Sequence, residues 1–370
     1  MFRLAVRNLT QDKTRLVISV VGTGLALTLV LFFGAVFTGA TGRITAYIDC
    51  AGADVWVSQA GVRTMHMSTS ALPASVTGEV KAVRGVEQAV PILYAEDMID
   101  AGGDQYIAYV FGVPSDAPMG GPWRIVDGTS ALGPGDVIVD HAIAAQSGVG
   151  VGDRITVLGQ EMRIAGLTSG TSSLVSSVTF VRMEDFAQVR GGGDVISFVL
   201  VKVAPGESPA AVSSRIAESV DGVTVQTRGQ FAAQERKLVG DMSADLINIM
   251  NTAGYLTGLA VVVLTVYIAT IARRREYGVL KAMGVRNSRL YQIVVVQALL
   301  AVAMGFVAGL GITLLLSAVI PRFNELLVLS LSTGAVLRVA VISTLLAGVA
   351  ALLPARQIAG LEPAAVTRRR

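Results

Sequence analysis

The chain has one cysteine, two histidines and no glycine followed by lysine, and each scarcity closes a route to chemistry. A single cysteine, Cys50, forms no disulfide within the chain, so any domain outside the cytoplasm must be stabilised by its own core. Two histidines, His66 and His141, leave little for a metal or a catalytic base. A phosphate loop needs the spacing GxxxxGK[ST], which the missing Gly-Lys pair excludes, so ATP would have to be hydrolysed by another chain. No nucleophile elbow GxSxG is present, and "GGGD" at 191–194 has no following helix to hold phosphate. Charge is also scarce. Ordinary soluble domains carry about a quarter charged residues, whereas this chain has 15%, with 52% hydrophobic residues and a mean hydropathy of +0.61. That is the composition of a membrane protein.

Four apolar runs are long enough to cross a bilayer: Leu16 to Phe37, Ala253 to Ala272, Ile293 to Ile320 and Ala335 to Leu353. The first follows Arg3, Arg7, Lys13 and Arg15 and is longer than a signal-peptide core, so it reads as a retained signal anchor. Basic residues concentrate beside the runs: 4 in the first 15 residues, 6 between Arg273 and Arg289, and 4 after Leu353. Residues 41–245 instead carry 14 basic against 23 acidic side chains. With basic loops kept inside, both termini and the 273–289 segment are cytoplasmic and the large segment is outside. The basic clusters are thus accounted for by topology and membrane lipids, and no nucleic-acid partner is implied. No Asp, Glu, Lys or His falls near the centre of a run, which removes the usual signature of an ion-driven pathway, and Arg338, near the outer edge of the last run, is expected to snorkel outward. Gly254 and Gly258, then Gly305 and Gly309, form two GxxxG spacings suited to close helix packing.

The outer segment is punctuated like a soluble domain. "ADVWVSQ", "QYIAYVFGV", "SSVTFV", "VISFVLVKV" and "GVTVQT" read as strands, and "DVIVDHAIAAQSGVGVGDRITVLGQEMRIAGL" as strand, short helix, Gly turn and two strands joined at Gly159. Helices are predicted at Met183 to Val189 and Ser208 to Ser219. "SQAGVRTMHMSTSALP" reads as a mobile loop. Its "MHM", residues 65–67, offers soft ligands for copper(I), or simply an apolar contact surface. From Gln230 a proline-free helix is expected to run straight into the second span. Phe231, Leu238, Met242, Ile249 and Ala253 form one stripe on it, which either transmits movement or packs the domain onto its own stalk. The fold class is therefore an α-helical membrane protein with four transmembrane helices and an α+β extracytoplasmic domain inserted between helices 1 and 2. The expected divisions are 1–40, 41–229, 230–272, 273–289, 290–320, 321–334, 335–353 and 354–370.

"RRREYGVLKAMGVRNSRLYQ", residues 273–292, interrupts two apolar runs. Arg273, Arg274 and Arg275 stop the second span, and Glu276 can begin a short helix. Tyr277, Leu280 and Met283 fall on one face, Gly284 suits a left-handed cap, and Ser288 can N-cap the third span. The apolar face asks for a partner, either the lipid headgroup boundary or a groove on another protein.

"RRREYGVLKAMGV" closely resembles the Arg, Arg, Glu, Ile, Gly, Ile, Leu, Lys, Ala, Leu, Gly run that follows the second span in FtsX-like permeases of ABC transporters, the group including MacB and LolC/LolE. "LAVRNLTQDKTRLVISV" is similar to the family's cytoplasmic lead-in, and "VIVDHAIAAQSGVGVGDRITVLGQEMRIAGL" to its outer core domain. "PARQIAGLEPAAVTRRR" resembles its closing signature. The resemblance implies a permease dimerised through its first two spans, with two copies or a sister chain, a cytoplasmic ABC ATPase carrying the ATP and Mg, and an extracytoplasmic adaptor or effector. No cofactor or metal is implied on this chain. It also implies a bacterial plasma-membrane location, the split form without a fused ATPase domain, and an ATPase-coupling role for Glu276, Gly278, Leu280, Lys281, Ala282, Met283 and Gly284. Tyr277 stands where an aliphatic residue is usual, and Gln297 where the third span often has Glu. An exporter is one function this allows. A transmembrane relay that activates an outer partner such as a cell-wall hydrolase is another, and a membrane-anchored enzyme or receptor a third.

Overall fold

The structure is a computed structural model describing residues 13–66, 68–172, 177–272, 279, 281–283, 285–323, 327 and 329–359. The chain divides into two compact units, Met1–Gly39 with Ser243–Phe323 and Leu329–Arg370, and Ala40–Met242 with Asn324–Val328. In chain order the elements begin with α1 (Lys13–Ile44), α2 (Ala46–Cys50), β1 (Val55–Gln59), β2 (Leu72–Pro73), α3 (Val76–Lys81), β3 (Val86–Ala101) and β4 (Asp104–Val113). They continue with β5 (Ile125–Gly128), β6 (Asp136–Asp140), α4 (His141–Ser147), β7 (Arg154–Val157), β8 (Gln160–Thr168), β9 (Ser177–Arg182) and α5 (Met183–Val189). Last come β10 (Val195–Ile196), β11 (Phe198–Val203), α6 (Pro209–Ser219), β12 (Val223–Thr227), α7 (Arg228–Ala272), α8 (Asn287–Val319) and α9 (Thr333–Ala359).

The larger unit combines two arrangements that share one strand. Its first half runs β1-α3-β3, then β11-α6-β12, with strand order β12-β1-β11-β3 and every neighbouring pair antiparallel. That is the βαββαβ arrangement of ferredoxin-like domains. The chain between β3 and β11 forms the second half. There β3 pairs with β4, β4 with β9, β9 with β6, β6 with β8, β8 with β7, and β7 returns to β3 through Asp100 opposite Thr156. The six strands thus close a small barrel. Its interior holds Ile99, Val110, Val137, Val139, Ile155, Ile164, Val181 and Phe186, all buried.

Turn chemistry fixes the register of both barrel hairpins. Ala101 lies opposite Asp104 and Val157 opposite Gln160, leaving two-residue loops, Gly102-Gly103 and Leu158-Gly159, in which every φ is positive. Positive φ at both positions is the requirement of a type I′ turn. The Leu158 amide donates to Asp97 Oδ2 at 2.6 Å, which helps hold a leucine in a conformation that favours glycine.

One buried carboxylate organises the middle of the barrel. Asp140 caps α4 by accepting from the Ala142 amide at 2.8 Å, while its other oxygen accepts from the Thr171 amide at 2.8 Å and the Thr171 hydroxyl at 2.5 Å. Asp140→Ala removes the cap and leaves the buried Thr171 amide without its acceptor, while the Thr171 hydroxyl keeps Thr168 Oγ1 at 2.7 Å, a loss of about 2–4 kcal/mol from cap and desolvation together. The outer unit should then melt roughly 5–15 °C lower, measured by calorimetry on the purified chain.

On the other face of the ferredoxin-like sheet lies an aromatic core of Tyr47, Trp56, Phe111, Phe180, Phe198 and Phe231, each at most 2% exposed. The Tyr47 ring stacks on Phe111 at 3.5 Å and its hydroxyl donates to the Gly120 carbonyl at 2.9 Å. Complete burial pushes the Tyr47 phenol far above its usual range, so it stays a neutral donor.

Among the described residues three helices are long and apolar enough to cross a membrane: Val20–Ile44, Asn287–Arg322 and Thr333–Ala351. The fourth expected span corresponds to a shorter apolar stretch, Asn248–Leu264, within α7. The basic lead-in (1–12) and the end of the tail (360–370) lie outside the described residues.

Candidate coupling site

The long helix α7 belongs to both units, and its first turns are fastened to the outer one. It begins with a capping box: the Gln230 amide donates to Thr227 Oγ1 at 3.3 Å, and the Thr227 amide donates to Gln230 Oε1 at 2.9 Å. The helix therefore starts two residues before the Gln230 expected from the sequence.

Three side chains within six residues then grip the domain. Phe231, fully buried, stacks on Trp56 at 4.9 Å and meets Phe198 edge-on at 5.9 Å. Glu235 accepts hydrogen bonds from the Met65 and His66 amides. Arg236 Nη1 donates to Thr45 Oγ1 at 3.0 Å, beside Asp49. The end of α1 is held as well, Arg43 donating to the Ser172 carbonyl at 2.7 Å. The stripe expected along α7 is only partly covered. Phe231 is buried and Leu238 half-buried, but Met242 and Ile249 are 59% and 66% exposed and Ala253 is exposed too. The stalk reading therefore holds for the first turns and fails beyond them, because the domain's contacts with the helix come from its capped end.

In the membrane unit both GxxxG pairs face α1. A Cβ on Gly254 would lie 2.4 Å from Val30 Cγ2, and one on Gly258 3.4 Å from Ala26 Cβ. One on Gly305 would lie 2.8 Å from Thr23 Cβ, and one on Gly309 2.8 Å from the Gly24 carbonyl oxygen. Thr28 Oγ1 bonds back to the Gly24 carbonyl at 2.8 Å and reaches the Gly309 carbonyl at 3.4 Å, so α1 and α8 meet backbone to backbone. A crevice among the four helices is lined by Thr23, Leu27, Leu259, Val262, Val302 and Ala347 and by no charged side chain among the described residues. Gln297 is buried on α8, its Oε1 without a partner among the described residues. Arg338 is exposed.

Of the segment expected to couple, the structure describes a single turn. Val279, Lys281 and Ala282 are helical, the Met283 amide donates to the Val279 carbonyl at 3.0 Å, and Met283 is 67% exposed. Arg273, Arg274, Arg275, Glu276, Tyr277, Gly278, Leu280 and Gly284 lie outside the described residues. One expectation is corrected. Ser288 does not cap α8: the helix starts at Asn287, Arg286 occupies the cap position with extended backbone, and no side chain caps it. Asn287 takes the first-turn place that the spacing had given to residues after Ser288.

His66 is buried and its Nδ1 bonds Glu235, so that nitrogen is committed within the fold; Met65 is 2% exposed and Met67 lies outside the described residues. Among the described residues no three His, Cys, Asp or Glu side chains come together as a metal site. His141 opens α4 as its first residue, and Cys50 is an exposed free thiol whose pKa burial and Asp49 raise. Sequence reasoning missed Glu235. The only readable signal was a lone acid one turn after Phe231 on the buried side of a helix.

Residues 16–219 match the MacB-like periplasmic core domain and residues 248–363 the C-terminal FtsX-like permease domain. An uncharacterised ABC transporter permease of Mycobacterium tuberculosis is 25% identical over 97% of both chains. A macrolide export ATP-binding/permease protein MacB of Burkholderia cenocepacia is 24% identical over 58% of this chain and 33% of its own length. The crystallised periplasmic region of MacB from Actinobacillus actinomycetemcomitans aligns with a TM-score of 0.38 at 12% identity, covering 50% of this chain and 93% of that one. The chain belongs to the MacB/FtsX family of ABC transporter permeases.

Proposed function

We infer that the chain is the membrane subunit of an exporter in which a separate cytoplasmic ATPase, carrying ATP and Mg, docks on residues 273–289. Closure of that ATPase moves α7, and α7 moves the outer domain to expel a substrate or draw it from the outer leaflet. A second permease copy or sister chain completes the pair, in a plasma membrane with both termini inside. The observation that carries this reading is the continuity of α7. One helix is gripped by Phe231, Glu235 and Arg236 at its outer end and runs to Ala272, immediately before the basic segment. A helix fixed at one end carries displacement along its axis, because its hydrogen-bonded turns resist bending except at a proline or a bulge, and α7 contains no proline. The apolar crevice among the helices favours a pushing device over a polar conduit.

The test is a purified complex with the partner ATPase. Leu280→Glu and Met283→Glu each place a charge on the face assigned to docking. Both should leave basal ATP hydrolysis intact and abolish its stimulation by the permease together with export. Retention of stimulation and export by both variants would refute the docking assignment.

A further inference from the structure

The crevice in the membrane unit is a groove between α7 and α9. Leu259 and Val262 form one wall, Leu346 and Ala347 the other, and Leu27 of α1 and Val302 of α8 the floor. Measured to its open side it encloses about 290 Å³. On α7 the lining runs from Tyr255 to Val262, about 10 Å of helix. The acyl chains of one leaflet extend about 15 Å, half of a hydrocarbon core of about 30 Å, so the groove takes part of one chain lengthwise. Ser343, on the α9 wall, spends its hydroxyl hydrogen on the Val339 carbonyl at 2.6 Å and offers no donor to a polar guest.

A cation stands at the Tyr255 end. Tyr255 is half-buried, packed against Leu27, Val30, Leu31 and Val339, which holds its ring at the rim. The Arg338 guanidinium is near enough to act electrostatically on the Tyr255 phenol. On α9, Arg338 precedes Ala347 by about 13 Å of helix, so it lies beyond the groove's apolar walls. Arg338 is exposed, and no carboxylate among the described residues pairs with it. A guanidinium inside a membrane span is costly unless it reaches water or an anion. An apolar slot with a cation at one end matches an amphiphile with an apolar chain and an anionic head.

We propose that this groove holds one acyl chain of a membrane phospholipid whose phosphate is bound by Arg338, so that a lipid molecule completes the packing between α7 and α9. That the leaflet is the outer one rests on the topology in the exporter reading above; the groove, its arginine and the class of ligand do not.

The experiment uses the full-length chain in phosphatidylglycerol vesicles and needs neither ATPase nor substrate, so it succeeds or fails apart from that reading. The probe is a trace of phosphatidylglycerol carrying a photoreactive diazirine at mid-chain. After irradiation, adducts should concentrate on peptides carrying Leu259, Val262, Leu346 and Ala347, above those carrying the exposed Val307 and Leu315 of α8. The same diazirine on a diacylglycerol, which lacks the phosphate, should label the groove several-fold less. Arg338→Gln should lower groove labelling by the phospholipid about five-fold, the worth of one arginine at an anionic headgroup. Ser343→Leu, which fills the groove from the α9 wall, should lower it further and leave Val307 labelling unchanged. Adducts spread evenly over the exposed helix faces would overturn the proposal, since that is the pattern of bulk lipid. Equal groove labelling by phospholipid and diacylglycerol would also overturn it, because the guest would then be a chain held without its phosphate. So would a groove free of adducts, as when a second copy of the chain covers it. These three results come from the wild-type protein and decide the matter even where a variant does not fold.

Discussion

Phe231→Ala should lower the stability of the outer domain by about 3–5 kcal/mol, a drop of roughly 6–20 °C in its melting temperature. The effect is large because nothing else fills that place. The ring is fully buried, stacked on Trp56 with an interplanar angle of 18° and set against Phe198 at 65°. Removing it costs the transferred apolar area, the ring pairing and the cavity left between two rigid aromatic neighbours that cannot collapse inward. The same helix supplies the control. Met242 is 59% exposed, and Met242→Ala should stay within about 0.5 kcal/mol of wild type. Calorimetry and tryptophan fluorescence on the two variants, side by side, would show whether α7 is anchored at its capped end; equal melting temperatures would mean that it is not.

Gly309→Ala should destabilise the membrane bundle while Gly311→Ala, two residues along the same helix, should not. Alanine in a helix interior is normally favoured over glycine by about 0.5–1 kcal/mol. At Gly311 nothing lies within 4 Å of the added methyl, so that gain is available. At Gly309 the methyl would sit 2.8 Å from the Gly24 carbonyl oxygen and 3.1 Å from the Thr28 amide nitrogen. Both are backbone atoms, which no rotamer change can move aside, so α1 and α8 must separate. Overpacking of this kind costs about 1–3 kcal/mol, and Gly309→Ile should prevent recovery of a monodisperse protein. Size-exclusion chromatography and melting in detergent read both outcomes, and a Gly309→Ala protein as stable as Gly311→Ala would rule out the close crossing.

The apolar runs were legible because a span announces itself by length and the absence of charge, and the GxxxG spacings because small residues recur at one helical face. The strand β1 was legible from alternation, and β4, β6, β7, β8, β9, β11 and β12 as short apolar or β-branched runs between turn residues, as were α5 and α6 from their boundaries. The 16-residue β3 was not. Pro91 and the acids Glu96, Asp97 and Asp100 argue against a strand in sequence, yet each has a place, Asp100 accepting from the Gly103 amide of the hairpin turn at 3.3 Å. Pro91 is registered only with Val199 of β11, because the pairing with β4 begins at Leu93, so its missing donor is not required on the other side. Glu96 and Asp97 lie where the barrel wall meets solvent or, for Asp97, accepts a turn amide. Of the candidate site, the basic stop and the coupling motif were readable as a pattern of residue types. The fastening at Phe231, Glu235 and Arg236 was only half so. The capping box "TRGQ" stood in the sequence at 227–230, but the burial of Glu235 depends on a loop 170 residues earlier, which no local pattern reveals.

Because β3 serves both halves of the outer domain, there is no linker between the ferredoxin-like half and the barrel. Val86 to Ile92 pair with β11 and Leu93 to Ala101 with β4, without a break in the strand. Two-domain proteins ordinarily articulate where few contacts cross and the backbone is free to rotate. Of the two stretches of chain that join the halves, β3 is hydrogen-bonded on both sides of the boundary, and the other returns from β9 through α5 and β10 to β11. The barrel therefore has no angle of its own to choose, and whatever tilts the sheet beside Phe231 swings the far wall of the barrel through the same arc.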